Sequence, residues 1–206
     1  MITIYGRANS SNVRRVLFFL ENTGLAYERL DYGRGFAPAN TPEFLALNPN
    51  GLIPVLDDGG TVIWESHTIL RYLAAKYGPE SSYPSDLARR AIVDQWLDWN
   101  LGHLSSPIMV LFLRHFLKTG EFTEREVQQA EAECAKRFTI LNGQLAKTGA
   151  YVAGPNLTVA DCSLGMTLHR WLNLPVERPD LPEIARYYER LCLLPSYEKT
   201  VLIGMP

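Results

Sequence analysis

The chain has 206 residues, 47% of them apolar and 20% charged, a balance that supports one substantial core or two small ones and excludes a disordered chain. The formal net charge of −2 at pH 7, with no lysine- or arginine-rich run, argues against nucleic acid as a partner, because phosphate binding needs concentrated positive charge. No basic stretch precedes a long apolar core at the start, and no apolar run reaches membrane length, so a cytoplasmic protein with no membrane partner is expected.

In chain order, Ile2, Ile4 and Tyr5 read as a short strand. After the polar break Asn9-Ser10-Ser11-Asn12, Val13, Val16, Leu17 and Leu20 recur at helical spacing until Gly24 can stop the helix. Tyr27-Glu28-Arg29-Leu30 predicts a second strand, followed by an irregular stretch from Gly33 to Thr41 and a short helical turn from Pro42 to Leu47. Pro54 to Leu56, the turn Asp57-Asp58-Gly59-Gly60 and Thr61 to Trp64 form a hairpin pattern, and a helix runs from Ser66 to about Tyr77. This first section is β-α-β-α-β-β-α. From Gly78 to Asp86 the composition is that of an exposed linker.

Beyond the linker only helical patterns appear. Ile92, Trp96, Trp99 and His103 fall near one face, a long helix is expected over 123–147, and shorter ones begin near Val159, Pro182 and Tyr197. The expected organisation is an α/β domain over 1–78, a linker over 79–86 and an all-helical domain over 87–206. Cys134, Cys162 and Cys192 are odd in number and widely spaced, which suggests buried thiols rather than a disulfide framework or a zinc site. No histidine and carboxylate pair has metal-ligand spacing, so no metal is expected.

Three stretches carry chemistry. Pro54 sits where a strand is expected, yet proline has no N–H for a ladder; a cis Ile53-Pro54 bond would turn the Ile53 N–H and C=O toward whatever lies beside the sheet. Glu65-Ser66 stands between a strand and a helix, with Ser66 as the expected N-cap, and the helix terminus can hold a carboxylate while Glu65 binds an ammonium. The combination suggests a peptide-like ligand pairing as an added strand. Asn9-Ser10-Ser11-Asn12 offers hydroxyls and an amide that can cap a helix or donate to a thiolate, whose anion a positive helix end also stabilises. Elsewhere, Thr158-Val159-Ala160-Asp161 has the form of a capping box, each partner contributing about 0.5–2 kcal/mol.

Taken together, Ser10-Ser11-Asn12 with Arg14, Asn48-Pro49 through Ile53-Pro54-Val55-Leu56, Glu65-Ser66 with Ile69-Leu70-Arg71-Tyr72-Leu73, and Leu157-Thr158-Val159-Ala160-Asp161 resemble the cytosolic glutathione transferases over essentially the whole chain. The opening Ile2-Thr3-Ile4-Tyr5-Gly6-Arg7 with Asn9-Ser10-Ser11-Asn12 looks most like a bacterial subgroup similar to theta-, delta- and nu-like members. The resemblance implies a thioredoxin-like first domain, an all-helical second domain, glutathione as co-substrate and a homodimer. It implies that Pro54 is cis, that Ile53 pairs with the cysteinyl backbone of glutathione, and that Glu65 and Ser66 hold the γ-glutamyl end. The thiolate-stabilising group falls to Ser10, four residues before Arg14, with Ser11 and Asn12 remaining open. Tyr5 lies too early to serve, and positions 10 to 12 lack the cysteine of the zeta-class isomerases.

For the glycyl carboxylate the chain offers Asn50, Arg34 or Asn40. The resemblance places the electrophile between the domains, against the helix carrying Trp96, Trp99, Leu101, His103, Met109, Phe112 and His115, while His67 and His169 read as caps or packed side chains. The implied activity is conjugation to, or dehalogenation of, small electrophiles by a glutathione thiolate. Two other activities fit the same pattern: a glutathione-dependent disulfide reductase or peroxidase, and a non-catalytic binding protein.

Overall fold

The computed structural model describes residues 1–204. Backbone contacts divide it into two compact units, one of Met1–Tyr83 with the chain from Leu194, the other Pro84–Leu193.

The first unit is built on β1 (Ile2–Tyr5), α1 (Ser11–Thr23), β2 (Tyr27–Leu30), α2 (Pro42–Leu47), β3 (Val55–Asp58), β4 (Thr61–Trp64) and α3 (Ser66–Tyr77). The strands lie in the order β2-β1-β3-β4. β1 and β2 are parallel because α1 carries the chain back between them, whereas β3 and β4 run antiparallel to their neighbours. Ile4 stands opposite Arg29 on one side and Leu56 on the other. The β3–β4 turn uses Gly59 and Gly60 at φ 60° and 97°, the left-handed pair a two-residue hairpin needs, and Asp57 Oδ1 accepts the Gly60 N–H at 2.7 Å.

α1 is buried from Val13 to Leu20 and packs against α3; Ile4 and Leu56 of the sheet and Ile69 and Leu73 of α3 are fully buried. The Ile53-Pro54 bond is cis, and β3 begins only at Val55. Pro54 thus precedes the strand expected to contain it, where no ladder N–H is required. α9 (Pro195–Thr200) belongs to this unit, although the helical patterns place it with the second domain. Its Tyr197 ring meets Phe18 edge-on at 5.2 Å, Ser196 Oγ donates to Asn22 Oδ1 at 3.0 Å, and Lys199 pairs with Glu21 at 2.7 Å.

The stretch read as an exposed linker is folded on itself. Ser82 and Tyr83 are buried, and Ser82 gives both its N–H and its hydroxyl to the Pro79 carbonyl.

In the second unit, α4 (Leu87–Trp99) is capped by Asp86, whose carboxylate accepts the Arg89 N–H at 2.9 Å. Helical backbone continues through a π-helical turn over Asn100–Leu104, α5 (Ser105–Leu111) and a second π-helical turn over Phe112–Leu117, ending at Lys118 with φ 51°. Ile92 is exposed; the buried seam is Val93, Trp96, Leu97, Asn100 and Leu104, so the expected face is rotated by one residue. α6 (Glu124–Thr148) starts at a Thr123–Glu126 capping box. α7 (Val159–Leu172) is buried through Trp171, its Trp171 ring stacked on Phe138 at 4.0 Å, and α8 (Pro182–Cys192) lays Ile184, Tyr187 and Leu191 inward. Cys134 and Cys162 are buried free thiols, and burial pushes the former up to about 12. Among the described residues no helix is long and apolar enough to cross a membrane.

Candidate active site

Four pieces of the first unit converge at one end of its sheet. β1 is followed by Gly6, where a methyl group would lie 2.6 Å from Val13 Cγ2 and 3.3 Å from Ile53 Cβ. Only a residue without Cβ lets β1, the start of α1 and the cis-proline loop approach so closely. Ile53 also reaches Gly33, its Cδ1 3.0 Å from where a methyl would stand. Ile53 is half-buried, and among the described residues its N–H and C=O have no hydrogen-bond partner. Backbone groups in that state can pair with an extended ligand.

Ser10 is the N-cap of α1, with extended backbone (φ −95°, ψ 128°), but its hydroxyl makes no capping hydrogen bond. An N-cap serine ordinarily spends its oxygen on the helix; here the hydroxyl is left beside the positive end of α1. Ser11 is the first helical residue and half-buried. Asn12 is exposed, and its Oδ1 accepts a hydrogen bond from Arg15 Nη1 at 3.0 Å. Arg14, 1% exposed, donates from Nε to the Ala8 carbonyl at 3.1 Å and from Nη1 to the carbonyls of Val201 (3.1 Å) and Gly204. It ties the turn before Ser10 to the chain after α9.

At the other side, Glu65 rather than Ser66 occupies the cap position of α3, at φ 72° and ψ 114°. This is a non-glycine residue at positive φ, a conformation that costs of order 1–3 kcal/mol and clusters at ligand sites. It makes Ser66 the first helical residue, buried at the helix terminus, with the Glu65 side chain exposed. His67 follows, buried, its imidazole pushed down to about 3 by desolvation and by the charges of Arg15 and Arg71, which makes it a packed neutral ring.

The residues expected at the glycyl end are scattered. Arg34 and Asn40 are exposed on the irregular stretch. The Asn50 amide donates to Asn48 Oδ1 at 2.9 Å. Asn48 itself, to which no function is assigned from the sequence, is 2% exposed; it donates to the Leu52 carbonyl at 2.7 Å and accepts the Asn50 N–H, so it sets the loop that delivers Ile53. Its adjacency to Pro49 is the signal that could have revealed it. Tyr5 packs its ring on Tyr32 and Phe44.

In the second unit, Trp99 meets Trp96 at 5.0 Å and His103 at 6.2 Å. Met109 is 44% exposed, whereas Phe112 is buried, with the Arg170 guanidinium 4.0 Å from its ring centroid and Phe116 stacked on it. The structure brings Trp99 and His103 together; Phe112 serves the core. His103 also lines a cavity of 380 Å³ with Ser106, Val110, Gln129, Glu133 and Arg137. Thr158 N–H and Oγ–H both donate to Asp161 Oδ2 at 2.8 Å, and Val152 N–H and Tyr187 O–H donate to Oδ1. Burial pushes this carboxyl up, and the four donors oppose it.

Known proteins share this sequence and fold. Residues 1–75 match the family model "Glutathione S-transferase, N-terminal domain" and residues 124–190 match "Glutathione S-transferase, C-terminal domain". The chain is 34% identical over 206 residues to glutathione S-transferase GstB of Escherichia coli, covering 98% of this chain and 99% of that one. It is 31% identical to glutathione S-transferase 3 of Zea mays, over 97% and 93% of the two chains. Among solved structures, the theta class glutathione S-transferase of Xanthomonas axonopodis pv. citri with glutathione bound superposes with a TM-score of 0.91 at 37% identity, over 100% of this chain and 99% of that one. On sequence and fold alike, the chain belongs to the glutathione S-transferase family.

Proposed function

We propose that the protein is a glutathione transferase in which Ser10 activates the thiol of bound glutathione for attack on a small electrophile. The observation that carries the assignment is the N-cap position of Ser10 with its hydroxyl unspent on the helix. Asn12 is committed to Arg15, and Ser11 already lies within α1.

In this mechanism Glu65 takes the ammonium of the γ-glutamyl group, while Ser66 and the N-terminus of α3 take its carboxylate. The N–H and C=O of Ile53 pair with the cysteinyl backbone as an added strand. That places the sulfur at the start of α1, where the Ser10 O–H donates to it and the helix end favours its negative charge. The thiol proton leaves to water. The thiolate then forms a new S–C bond, either by addition to an activated carbon or with departure of a halide. Positioning the two reactants supplies the remainder of the acceleration.

A homodimer fits the same reading: Val62 and Trp64 of the edge strand β4 and Leu87 and Ile92 of α4 are exposed apolar side chains that pairing would cover. Sedimentation of the wild type and Trp64→Glu tests it, with dissociation of the variant expected.

The thiolate assignment is tested by ultraviolet titration of glutathione bound to the wild type, Ser10→Ala, Ser11→Ala and Asn12→Ala, after calorimetry establishes saturation. A depressed thiol pKa that rises by roughly one to two units only in Ser10→Ala is expected for loss of one hydrogen bond to a charged sulfur. An unchanged thiol pKa on binding would refute the activation mechanism.

A further inference from the structure

Two arginines belong to the surroundings of the turn that carries Ser10: Arg7 within it, and Arg34 next to Gly33, which the Arg7 side chain crosses. Arg7 donates its N–H to the Tyr32 carbonyl at 3.1 Å, and its own carbonyl accepts the Ser10 N–H at 3.2 Å. Its half-buried side chain crosses Gly33, where a methyl group would lie 3.0 Å from Nη1 and 3.0 Å from Ile53 Cδ1. Arg34 follows Gly33 directly and is exposed. Among the described residues neither guanidinium has a carboxylate or a side-chain hydrogen-bond partner. The nearby cation of β2, Arg29, differs in this respect, since it pairs with Asp31 and donates to the Gly6 carbonyl. Burial and the charge of Arg34 both lower the pKa of Arg7, so the two cations repel one another. An anion between them would relieve the repulsion and satisfy both forks.

We propose that Arg7 and Arg34 form a carboxylate clamp beside the reacting sulfur, so that the preferred second substrates are small electrophiles bearing a carboxylate. The proposal rests on the glutathione reading above. A carbon attacked by a sulfur next to Ser10 must come within about 3–3.5 Å of it, which brings the rest of a small electrophile alongside the turn shared by Ser10 and Arg7. The γ-glutamyl carboxylate of glutathione goes to Ser66, at the far side of Ile53, and Arg34, which the resemblance offers for the glycyl carboxylate, is reassigned to the clamp. In the reaction the thiolate forms the S–C bond, the leaving group departs with the electron pair of its bond to carbon, and the carboxylate is unchanged.

Calorimetry on the full chain with three ligands tests the clamp: glutathione, S-(4-carboxybenzyl)glutathione and the methyl ester of that benzoate conjugate. The wild type should bind the carboxybenzyl conjugate about tenfold more tightly than the ester, as expected for a charge-assisted contact. Arg7→Gln/Arg34→Gln should abolish that preference while glutathione binds as before, and Arg7→Lys should keep part of it. Arg34→Gln alone, at an exposed position, carries the test should the double variant not fold. Equal affinity of the wild type for the two conjugates, or a preference that survives in the variant, overturns the proposal. A parallel loss for all three ligands also overturns it, by assigning the arginines to glutathione's own glycyl carboxylate. Failure of the wild type to bind glutathione defeats the underlying reading first, and is distinguishable because the glutathione titration stands by itself.

Discussion

Arg14 Nε donates to the Ala8 carbonyl at 3.1 Å, and Ala8 lies within the turn closed by the Ser10 N–H on the Arg7 carbonyl. A buried cation six positions along the chain therefore sets where the Ser10 hydroxyl points. Arg14→Leu removes the guanidinium and leaves the carbonyls of Ala8, Val201 and Gly204 without this donor. A stability loss on the order of 2–4 kcal/mol is expected, read by urea denaturation, together with a rise of roughly one unit in the pKa of bound glutathione's thiol. A stable variant with an unmoved thiol pKa would show that the turn holds itself.

Gly6→Ala places a methyl 2.6 Å from Val13 Cγ2. Overpacking of this kind costs about 1–3 kcal/mol, and because Ile53 Cβ is the next neighbour at 3.3 Å, glutathione affinity should fall as well. Val13→Ala in the same chain should recover part of both losses, since the clash is with that side chain. Additive effects in the double variant would rule out the steric account.

Asp161 accepts four hydrogen bonds while 0% exposed, more than the capping box expected from sequence. Asp161→Asn turns an N–H₂ toward two of those donors, and a loss of about 3–5 kcal/mol is expected. Thr158→Ala should cost about 0.5–2 kcal/mol. Denaturant midpoints that rank the two variants the other way would contradict the network.

His67 titrates at about 3 in the folded chain against an ordinary value of 6.5. Between these values the unfolded chain binds a proton that the folded chain refuses, so stability is full above 6.5 and declines as pH falls toward 3. Relative to His67→Gln, the wild type should lose roughly 2–3 kcal/mol between pH 7 and 4.5. Parallel stability curves for the two proteins would exclude this role.

Much of the fold was legible because its signals are local. Periodicity marked α1, glycine pairs marked the β3–β4 turn, and β-branched and aromatic runs marked the strands. The candidate site was legible only in part, since its composition depends on which local signals meet in space. Ser66 carries the chemistry of a cap, yet the positive φ of Glu65 shifts it one place into α3. Ile92 fits an apolar periodicity, yet the buried seam runs through Val93. The functions of Asn48 and Arg7 lie in contacts with Leu52 and Gly33, and no spacing along the chain announces those.

The first unit is made of two separated pieces of chain, with the helical unit inserted between them. Arg14 finds its acceptor at Val201, 187 positions later, and Phe18 is covered by Tyr197. On a ribosome, the segment that forms the sheet emerges long before the helix that closes its core, so the turn that carries Ser10 cannot be fully tied down until the whole helical insert has been made. A fragment ending at Leu193 would display the uncovered side of α1, a surface suited to chaperones and to aggregation.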